Sequence, residues 1–462
     1  MSFPRYSAYK ASGVDWLGEV PEHWGICSFR HLIKSVSNGT TVEQTDESDD
    51  TVAVSRIETI STGTINFNKV GFVASQDVAV RFLLNAGDIL FSHINSLPMV
   101  GNVAVYTGRK PLLHGMNLLR LQPRNNISSD WILYWLKSKN VRQEVESRAK
   151  PAINQASIST DSVRALPALM PPESEQTQIA RFLDHETAKI DALIEQQQRL
   201  IELLKEKRQA VISHAVTKGL DPTVPMKNSG VEWLGEVPAH WDVASLKMLV
   251  DVRDGTHETP SYVEPSETSF PLVTSKDVTG GTLLLDECKH ISADDYYSII
   301  RRSGVSAGDI LMPMIGTVGS PFLLTKEYEI AIKNLALFRT SRSNEELVNR
   351  FLLYFLYSSE CQVQFDLESR GGVQNFVSLG TLRGLRLPVP PTEEQLSIVQ
   401  HLTKETSRLD SLILEAGGAI EFLNERRSAL ISAAVTGKID VRNWKPPVSE
   451  SEQESQQEVA RG

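Results

Sequence analysis

The sequence predicts an α+β fold made by tandem duplication: two globular domains, each followed by a long amphipathic helix. Three observations carry this. First, Glu175–Asp221 returns without a gap as Glu394–Asp440, with about 21 of roughly 47 positions identical. Second, Ser12–Trp24 (SGVDWLGEVPEHW) returns as Ser229–Trp241 (SGVEWLGEVPAHW). Third, the stretches between these repeats share strand and turn signals in the same order while differing in most residues.

The clearest pattern is that of the helices. Apolar residues at Ile179, Leu183, Ile190, Leu193, Ile201, Leu204, Val211 and Ala215 step by three, four and seven, which draws one stripe along a helix. Ile398, Leu402, Leu409, Leu412, Ile420, Leu423, Leu430 and Ala434 repeat the stripe. Pro171-Pro172 and Pro390-Pro391 open the two runs, as suits a helix start. Each helix is expected to run about 35 residues, roughly 50 Å at 1.5 Å per residue. A core stripe in an ordinary bundle is the bland reading; duplication argues for a shared role. Matched interruptions, Gln197 against Ala416 and Arg208 against Arg427, are candidates for fixing register.

The paired tryptophans of each short repeat, among turn formers, suggest a loop pinned by aromatic burial, with His23 and His240 in structural roles. Beyond the first repeat, Thr51–Ser55 reads as a short buried strand followed by a Gly63 turn; Pro271–Ser275 with Gly280-Gly281 reads the same way. Ala86-Gly87-Asp88-Ile89-Leu90 matches Ala307-Gly308-Asp309-Ile310-Leu311, a turn feeding a strand. Asn117-Leu118 parallels Asn334-Leu335, and Ile132–Leu136 parallels Leu352–Leu356 on apolar helices. The linker Thr217–Lys227, with Pro222 and Pro225, separates the halves.

Composition narrows the class. A chain of 462 residues with 41% hydrophobic residues can hold two to four domains. A net charge of −10 argues against a uniformly basic nucleic-acid coat but leaves room for local basic faces. Cys27, Cys288 and Cys361 are far apart and form no CxxC, so a reducing cytoplasm is the expected setting. No signal-peptide core and no run of about 18 apolar residues is present, so no membrane association is expected. Residues 441–462, rich in Ser, Glu and Gln, read as an acidic tail that does not fold.

Catalytic signatures are missing. The sequence has no GxxxxGK[ST], no strand-borne GxGxxG and no GxSxG. The Pro-Pro pairs are followed by Glu173 and Thr392 rather than an aromatic-bearing methyltransferase signature. His185-Glu186 lacks the second histidine of HExxH, since Lys189 stands there, so no metal site is expected. The chain reads as non-catalytic. A catalyst would keep its reactive residues in at least one half, whereas a recogniser of two targets would let the globular parts diverge.

Polar residues at strand ends and loops are of the types that read base edges or hold phosphates. In the first half these are Arg56, Glu58, His93, Asn95, Ser96, His114 and Asn117, with Arg109-Lys110 as a basic pair. In the second they are Thr256, His257, Thr274, Ser275, Lys276 and Thr317, with Arg301-Arg302.

The two SGV(D/E)WLGEVPxHW segments, the PPxxEQxxI helix starts and the DGTHETP and FSHINS loops together resemble the specificity subunit of type I restriction-modification systems, from about Tyr6 to Asp440. The resemblance implies two target-recognition domains (1–170 and 222–389) alternating with central (171–221) and distal (390–440) conserved helical regions, which pack as an antiparallel coiled coil. It implies that each domain reads one half of a bipartite site on double-stranded DNA, while the helices set the spacer. It also implies two methyltransferase subunits docked on the chain and two restriction-translocase subunits joined through them. S-adenosylmethionine, ATP and magnesium would then sit on those partners, with no cofactor here. Lys205, Lys207, Arg208, Glu425, Arg426 and Arg427 are candidate docking residues on the outer helix faces. The competing class is a two-headed coiled-coil adaptor for protein ligands, which would lack sequence-specific DNA binding.

Overall fold

The computed structural model describes residues 3–279, 281–315, 320–340, 347–368 and 376–447. The chain forms two compact units, one from Met1–Gln197 with Ala419–Gly462, the other from Gln198–Gly418. The boundaries fall in the middle of the long helices rather than at their starts, because each half-helix packs on a globular domain.

The long helices span Glu173–Lys218 (46 residues) and Thr392–Val435 (44 residues). They exceed the expected 35 because each takes in both the polar first turn after Pro-Pro and the whole apolar stripe, to Ala215 and Ala434. In the first unit, Gln178 Nε2 donates to the Val441 and Trp444 carbonyls (3.1 and 2.6 Å), and Arg427 pairs with Asp191 at 3.3 Å. Rising numbers on one helix meet falling numbers on the other, so these halves run antiparallel. In the second unit, Arg208 pairs with Asp410 at 2.9 Å, and Gly219 lies against Glu394, which gives the same sense.

Ile179, Leu183, Ile190, Leu204, Leu402 and Leu409 are buried, and Ile201, Ile420, Leu423 and Leu430 are half-buried. Leu193 and Leu412 depart from the expected stripe, at 44% and 37% exposed. Four residues on from Ile190 and Leu409 stand Ile194 and Ile413, which are half-buried instead. Alternating steps of three and four then lead through Gln197 and Ala416 to Ile201 and Ile420, so the sequence reading was one residue out of heptad register there. Arg208 and Arg427 are likewise not outer-face residues; both turn inward to their aspartates.

The first globular domain is built on a four-stranded antiparallel sheet ordered Ile33–Asn38, Leu118–Pro123, Ile89–Ser92, Val103–Val105. Side chains alternate along each strand. Ile89, Phe91, Leu119, Leu121 and Val103 enter the core shared with the helices, whereas Leu90, Leu118 and Ala104 enter a separate core with Ile60, Leu84 and Leu112. Burial on both faces explains why these strands read as continuous apolar runs. The second domain repeats the plan with Asp251–Asp254, Leu335–Arg339, Ile310–Pro313 and Phe322–Leu323. There Ile310, Met312, Ala336 and Phe338 face the helix-side core, and Leu311, Leu335 and Leu337 the other.

The turns before the Ile89 and Ile310 strands are the same device. Gly87 and Gly308 take φ of 91° and 93°, a region that favours glycine. Asp88 and Asp309 each accept a backbone N–H three residues upstream, from Asn85 (2.7 Å) and Ser306 (3.0 Å). Asp88 is also ion-paired to buried Arg120 at 2.5 Å.

Val441–Trp444, the first residues of the stretch expected to be unfolded, are ordered. Val441 is buried, and the Trp444 ring packs edge-on to Phe182 with centroids 5.3 Å apart. The rest of the expected acidic tail, from residue 448, lies outside the described residues.

Candidate nucleic-acid interface

Each domain is fixed to its half-helices by the same set of bonds. Trp24 Nε1 donates to Glu175 Oε2 at 2.9 Å and His23 Nε2 lies 2.6 Å from Oε1; Trp241 and His240 make the equivalent bonds to Glu394 at 2.9 and 2.8 Å. Tyr6 also donates to Glu175 at 2.9 Å, and burial together with that carboxylate pushes its hydroxyl pKa far up, so it stays a donor. Gln176 accepts from the Ser128 N–H and Gln395 from the Val348 N–H (2.9 and 2.8 Å). Tyr134 bonds Asp184 and Thr187, as Tyr354 bonds Thr403 and Thr406. The Glu-Gln pair that opens each sequence repeat is therefore the socket for the domain.

At one end of the first sheet, several predicted residues converge. Asn117, with φ 67°, opens the Leu118 strand, and its backbone bonds His93. Gly39 runs so close to the next segment that a Cβ there would lie 1.9 Å from the Gly115 carbonyl, and Thr40 N donates to the His114 carbonyl at 2.8 Å. Asn95 donates to Ser92 Oγ (3.2 Å), and its strand, Ile94–Asn95, pairs with a hairpin of Lys150–Ala152 and Gln155–Ser157. Ser96 is exposed and donates its N–H to Asn95 Oδ1. Arg56 is held by Gln44 at 2.6 Å, and Glu58 is exposed.

The corresponding end of the second sheet is assembled in the same place from other side chains. Thr256 N donates to Ile332 O, and Asn334 (φ 55°) donates its N–H to Thr256 O. His257 bridges Asn334 Oδ1 (3.1 Å) and Asp254 Oδ2 (2.8 Å). Arg302 also pairs with Asp254. Burial alone would raise the Asp254 pKa, but the bonds from His257 and Arg302 outweigh it and hold the carboxyl below its usual range. Ser275 reaches the Asn334 carbonyl at 3.5 Å, and Lys276 is exposed beside it.

Three expectations change on this geometry. Arg109 and Lys110 lie beside the Ala86-Gly87 turn, at the opposite end of the sheet from His93 and Asn117; Lys110 Nζ sits over the Phe67 ring at 5.8 Å. Arg302 reaches Asp254 at the recognition end, so the two basic pairs are not counterparts. Thr274 caps the turn Ser275–Asp277 by bonding Asp277, which occupies its hydroxyl. His114 is buried and bonds the Leu118 carbonyl at 2.9 Å, so it supports the loop from below rather than facing a ligand. Thr317 lies outside the described residues.

Burial lowers the His114 pKa to about 4, against the raising effect of the Leu118 carbonyl. The unfolded chain takes up this proton near pH 6.5, the folded chain only near 4, so stability rises with pH between those values. Acidification from pH 6.5 to 4 is therefore expected to remove about 2–3 kcal/mol from the first unit through this residue. Urea unfolding against pH should show His114→Asn lacking that component; an unaltered pH slope would refute it.

Sequence reasoning passed over Gly39-Thr40, though Asn38-Gly39-Thr40 mirrors Asp254-Gly255-Thr256 in this sequence. It also passed over the hairpin, whose tip places Ile153 at 93% exposed beside Asn154 with φ 59°. Among the described residues no group of three His, Cys, Asp or Glu side chains is arranged to hold a metal ion. None of their helices is long and apolar enough to cross a membrane.

A duplicated scaffold presenting two different loop sets at matching sheet ends is the architecture of a DNA-specificity module, and sequence comparison agrees. The type I restriction modification DNA specificity domain matches twice, over residues 32–203 and 238–414, and the chain belongs to that family. It is 30% identical over 439 residues to a Methanocaldococcus jannaschii protein assigned as the specificity subunit of the type I restriction enzyme MjaX, covering 92% of this chain and 96% of that one. Identity to the EcoKI specificity subunit of Escherichia coli K12 is 21%, over 93% and 91% of the two chains. A chain from a type I restriction-modification system, solved for its complex assembly and conformational transition, superposes with a TM-score of 0.68 at 15% identity, covering 90% of this chain and 98% of that one. The HsdS subunit of Thermoanaerobacter tengcongensis gives 0.52 at 14% identity, covering 91% and 98%.

Proposed function

We propose that this chain supplies the DNA-sequence specificity of a type I restriction-modification complex, each globular domain reading one half of a bipartite site. The observation that carries the reading is the matched pair of sheet ends. Backbone geometry at Gly39/Gly255 and Asn117/Asn334 is shared, while the side chains displayed there differ. Conserved geometry with changed chemistry suits two readers of different sequences. Asn95, Asn117, Thr256 and Ser275 offer donors and acceptors for base edges, His257 holds the loop through both its ring nitrogens, and Arg56, Lys276 and Arg301 offer phosphate contacts. The helices then set the number of base pairs between the half-sites.

The chain is the non-catalytic member in this reading. Methylation draws on S-adenosylmethionine held by methyltransferase subunits, and cleavage on ATP and magnesium held by restriction subunits joined through them. The outer helix faces suit the first of these partners. Leu414 and Phe422 are 78% and 63% exposed, and Leu200, Leu203 and Leu396 are exposed too.

Mapping methylated adenines in DNA exposed to the assembled methyltransferase tests the function. A single bipartite motif is expected; absence of sequence-specific DNA binding with methyltransferase subunits present would sink it in favour of a protein-binding adaptor. For docking, Leu414→Asp and Phe422→Asp should leave the melting temperature of the free chain within about 2 °C and weaken methyltransferase assembly about tenfold or more. Assembly at wild-type affinity would remove these residues from the interface.

A further inference from the structure

A cleft of about 370 Å³ in the first unit is walled by the loops Ser61–Gly63 and Gly101–Val103 and by Lys137, Arg142, Arg427 and Ser428. We infer that it is a binding site for a phosphate-type oxyanion, held by Lys137, Arg142 and Arg427. The three cations are incompletely satisfied by the protein. Lys137 Nζ donates to the Gly63 carbonyl at 3.0 Å. Arg142 uses Nη2 on the Pro98 carbonyl at 2.7 Å, while its Nη1 is shielded from solvent and has no hydrogen-bond partner. Arg427 uses Nη1 on Asp191, and its Nε is shielded and unpartnered. A shielded, unpartnered donor in a folded protein calls for an occupant such as an ion or water.

The acidic groups nearby do not supply one. Asp191 is engaged by Arg427, and Glu146 stands 3.9 Å from Arg142 Nη2 on the helix surface. Burial first, and then Arg427, lower the Lys137 pKa, while Asp191 and Asp184 act more weakly in the other direction. Like charges are thus brought together in a partly desolvated place, which an anion between them would relieve.

The duplication provides an internal control. The matching cleft of the second unit, about 450 Å³, is lined by Gln209, Ser320, Tyr357 and Gln362. Tyr357 stands where Lys137 does: an added Cβ at Gly281 would meet its hydroxyl at 3.4 Å, as one at Gly63 would meet Lys137 Nζ at 3.1 Å. Gln362 takes the place of Arg142. In that cleft Tyr357 donates to the Pro321 carbonyl at 2.6 Å, and Arg208, the counterpart of Arg427, lies over its ring. The framework therefore forms a cleft here with Tyr357 and Gln362 in place of Lys137 and Arg142, so their charges serve something the second unit does not do. Two guanidinium groups and an ammonium converging on a polar cleft match the geometry of a tetrahedral oxyanion.

Such a phosphate has two sources, free inorganic phosphate or the backbone of bound DNA. The lining loops favour the second, since Ser61–Gly63 follows Arg56–Glu58 and Gly101–Val103 follows His93–Ser96 in the chain. That arm rests on the function proposed above; the first does not. With the full chain, inorganic phosphate at ten times its Kd should raise the melting temperature by roughly 3 °C relative to chloride at matched ionic strength. The shift should vanish in K137Y/R142Q, which installs the residues of the second unit, and persist in part in Arg142→Lys. Should the double variant fold poorly, Arg142→Gln alone serves as the comparison.

With the assembled methyltransferase on a duplex carrying its site, the slope of log K against log salt should become shallower by about one in K137Y/R142Q, with base preference unchanged. A phosphate shift without a slope change assigns free phosphate; a slope change assigns the DNA backbone. A phosphate response retained by K137Y/R142Q, or no response in either arm, overturns the site. Failure of wild-type complex to bind DNA specifically would strike the proposed function and leave the phosphate arm standing.

Discussion

Replacing residues 25–170 with the corresponding stretch of a relative is expected to change one half of the recognised site and leave the other half intact. Beside the apolar core it shares with the long helices, this domain is seated by polar contacts that use two backbone N–H groups and one hydroxyl. They are the Ser128 N–H on Gln176, the Tyr134 hydroxyl on Asp184 and Thr187, and the Lys139 N–H on Ser432. The second domain repeats them on Gln395, Thr403, Thr406 and Ser213. A transplanted domain should therefore seat normally and carry its own loops to the sheet end where His93, Asn95 and Asn117 now stand. Each mismatched base pair costs about 1–3 kcal/mol, so three altered pairs lower affinity for the former half-site on the order of a hundredfold to a millionfold. Methylation mapping of the chimera is the measurement. A change in both half-sites would show that the domains do not read independently.

Trp24→Ala is expected to be the most damaging single substitution in the first unit. The ring is fully buried, and truncating a large aromatic costs about 3–5 kcal/mol. Loss of its N–H also strips one of three bonds from the buried carboxylate of Glu175, adding about 1–3 kcal/mol. Trp24→Phe should keep most of the packing and expose the hydrogen-bond component alone. Trp241→Ala should act the same way on the second unit, through Glu394. Hydrogen exchange resolved by residue would separate the two: each substitution should deprotect its own unit first. Equal loss of protection in both units from either variant would mean that the sockets are not separate.

Much of this framework is written in residue order. The Glu-Gln helix starts, the His-Trp repeats and the Ala-Gly-Asp turns are local or periodic signals, and each sits where its duplicate predicts. The one-residue error at Leu193 and Leu412 arose because a run of Leu-Ile gives two apolar choices, and only the three-four spacing set by neighbouring turns selects Ile194 and Ile413. The recognition end was less legible. His114 and Asn117 are three residues apart in one polar loop, yet one is a buried support and the other a strand-opening turn. Gly39 matters through its closeness to Gly115, a contact between segments far apart in the chain that no local pattern encodes. Arg208 and Arg427 read equally as interruptions of the apolar stripe and as outer-face charge, and only their partners on the other helix, Asp410 and Asp191, decide for the first.

The division of the chain at Gln197 and Gly418 has a consequence for its biosynthesis. The second unit is one continuous stretch, Gln198–Gly418, whereas the first is closed only by residues after Ala419. Tyr9 donates to the Gly437 carbonyl and Asp440 N donates to the Pro4 carbonyl, so segments more than 400 residues apart in the chain are stitched together. A domain emerging from the ribosome folds once its contacts are present, at synthesis rates of about 5–20 residues per second. The first half made is therefore the last to be completed. Its Trp24 pocket waits half-built for roughly 11–44 s while the entire second unit is synthesised.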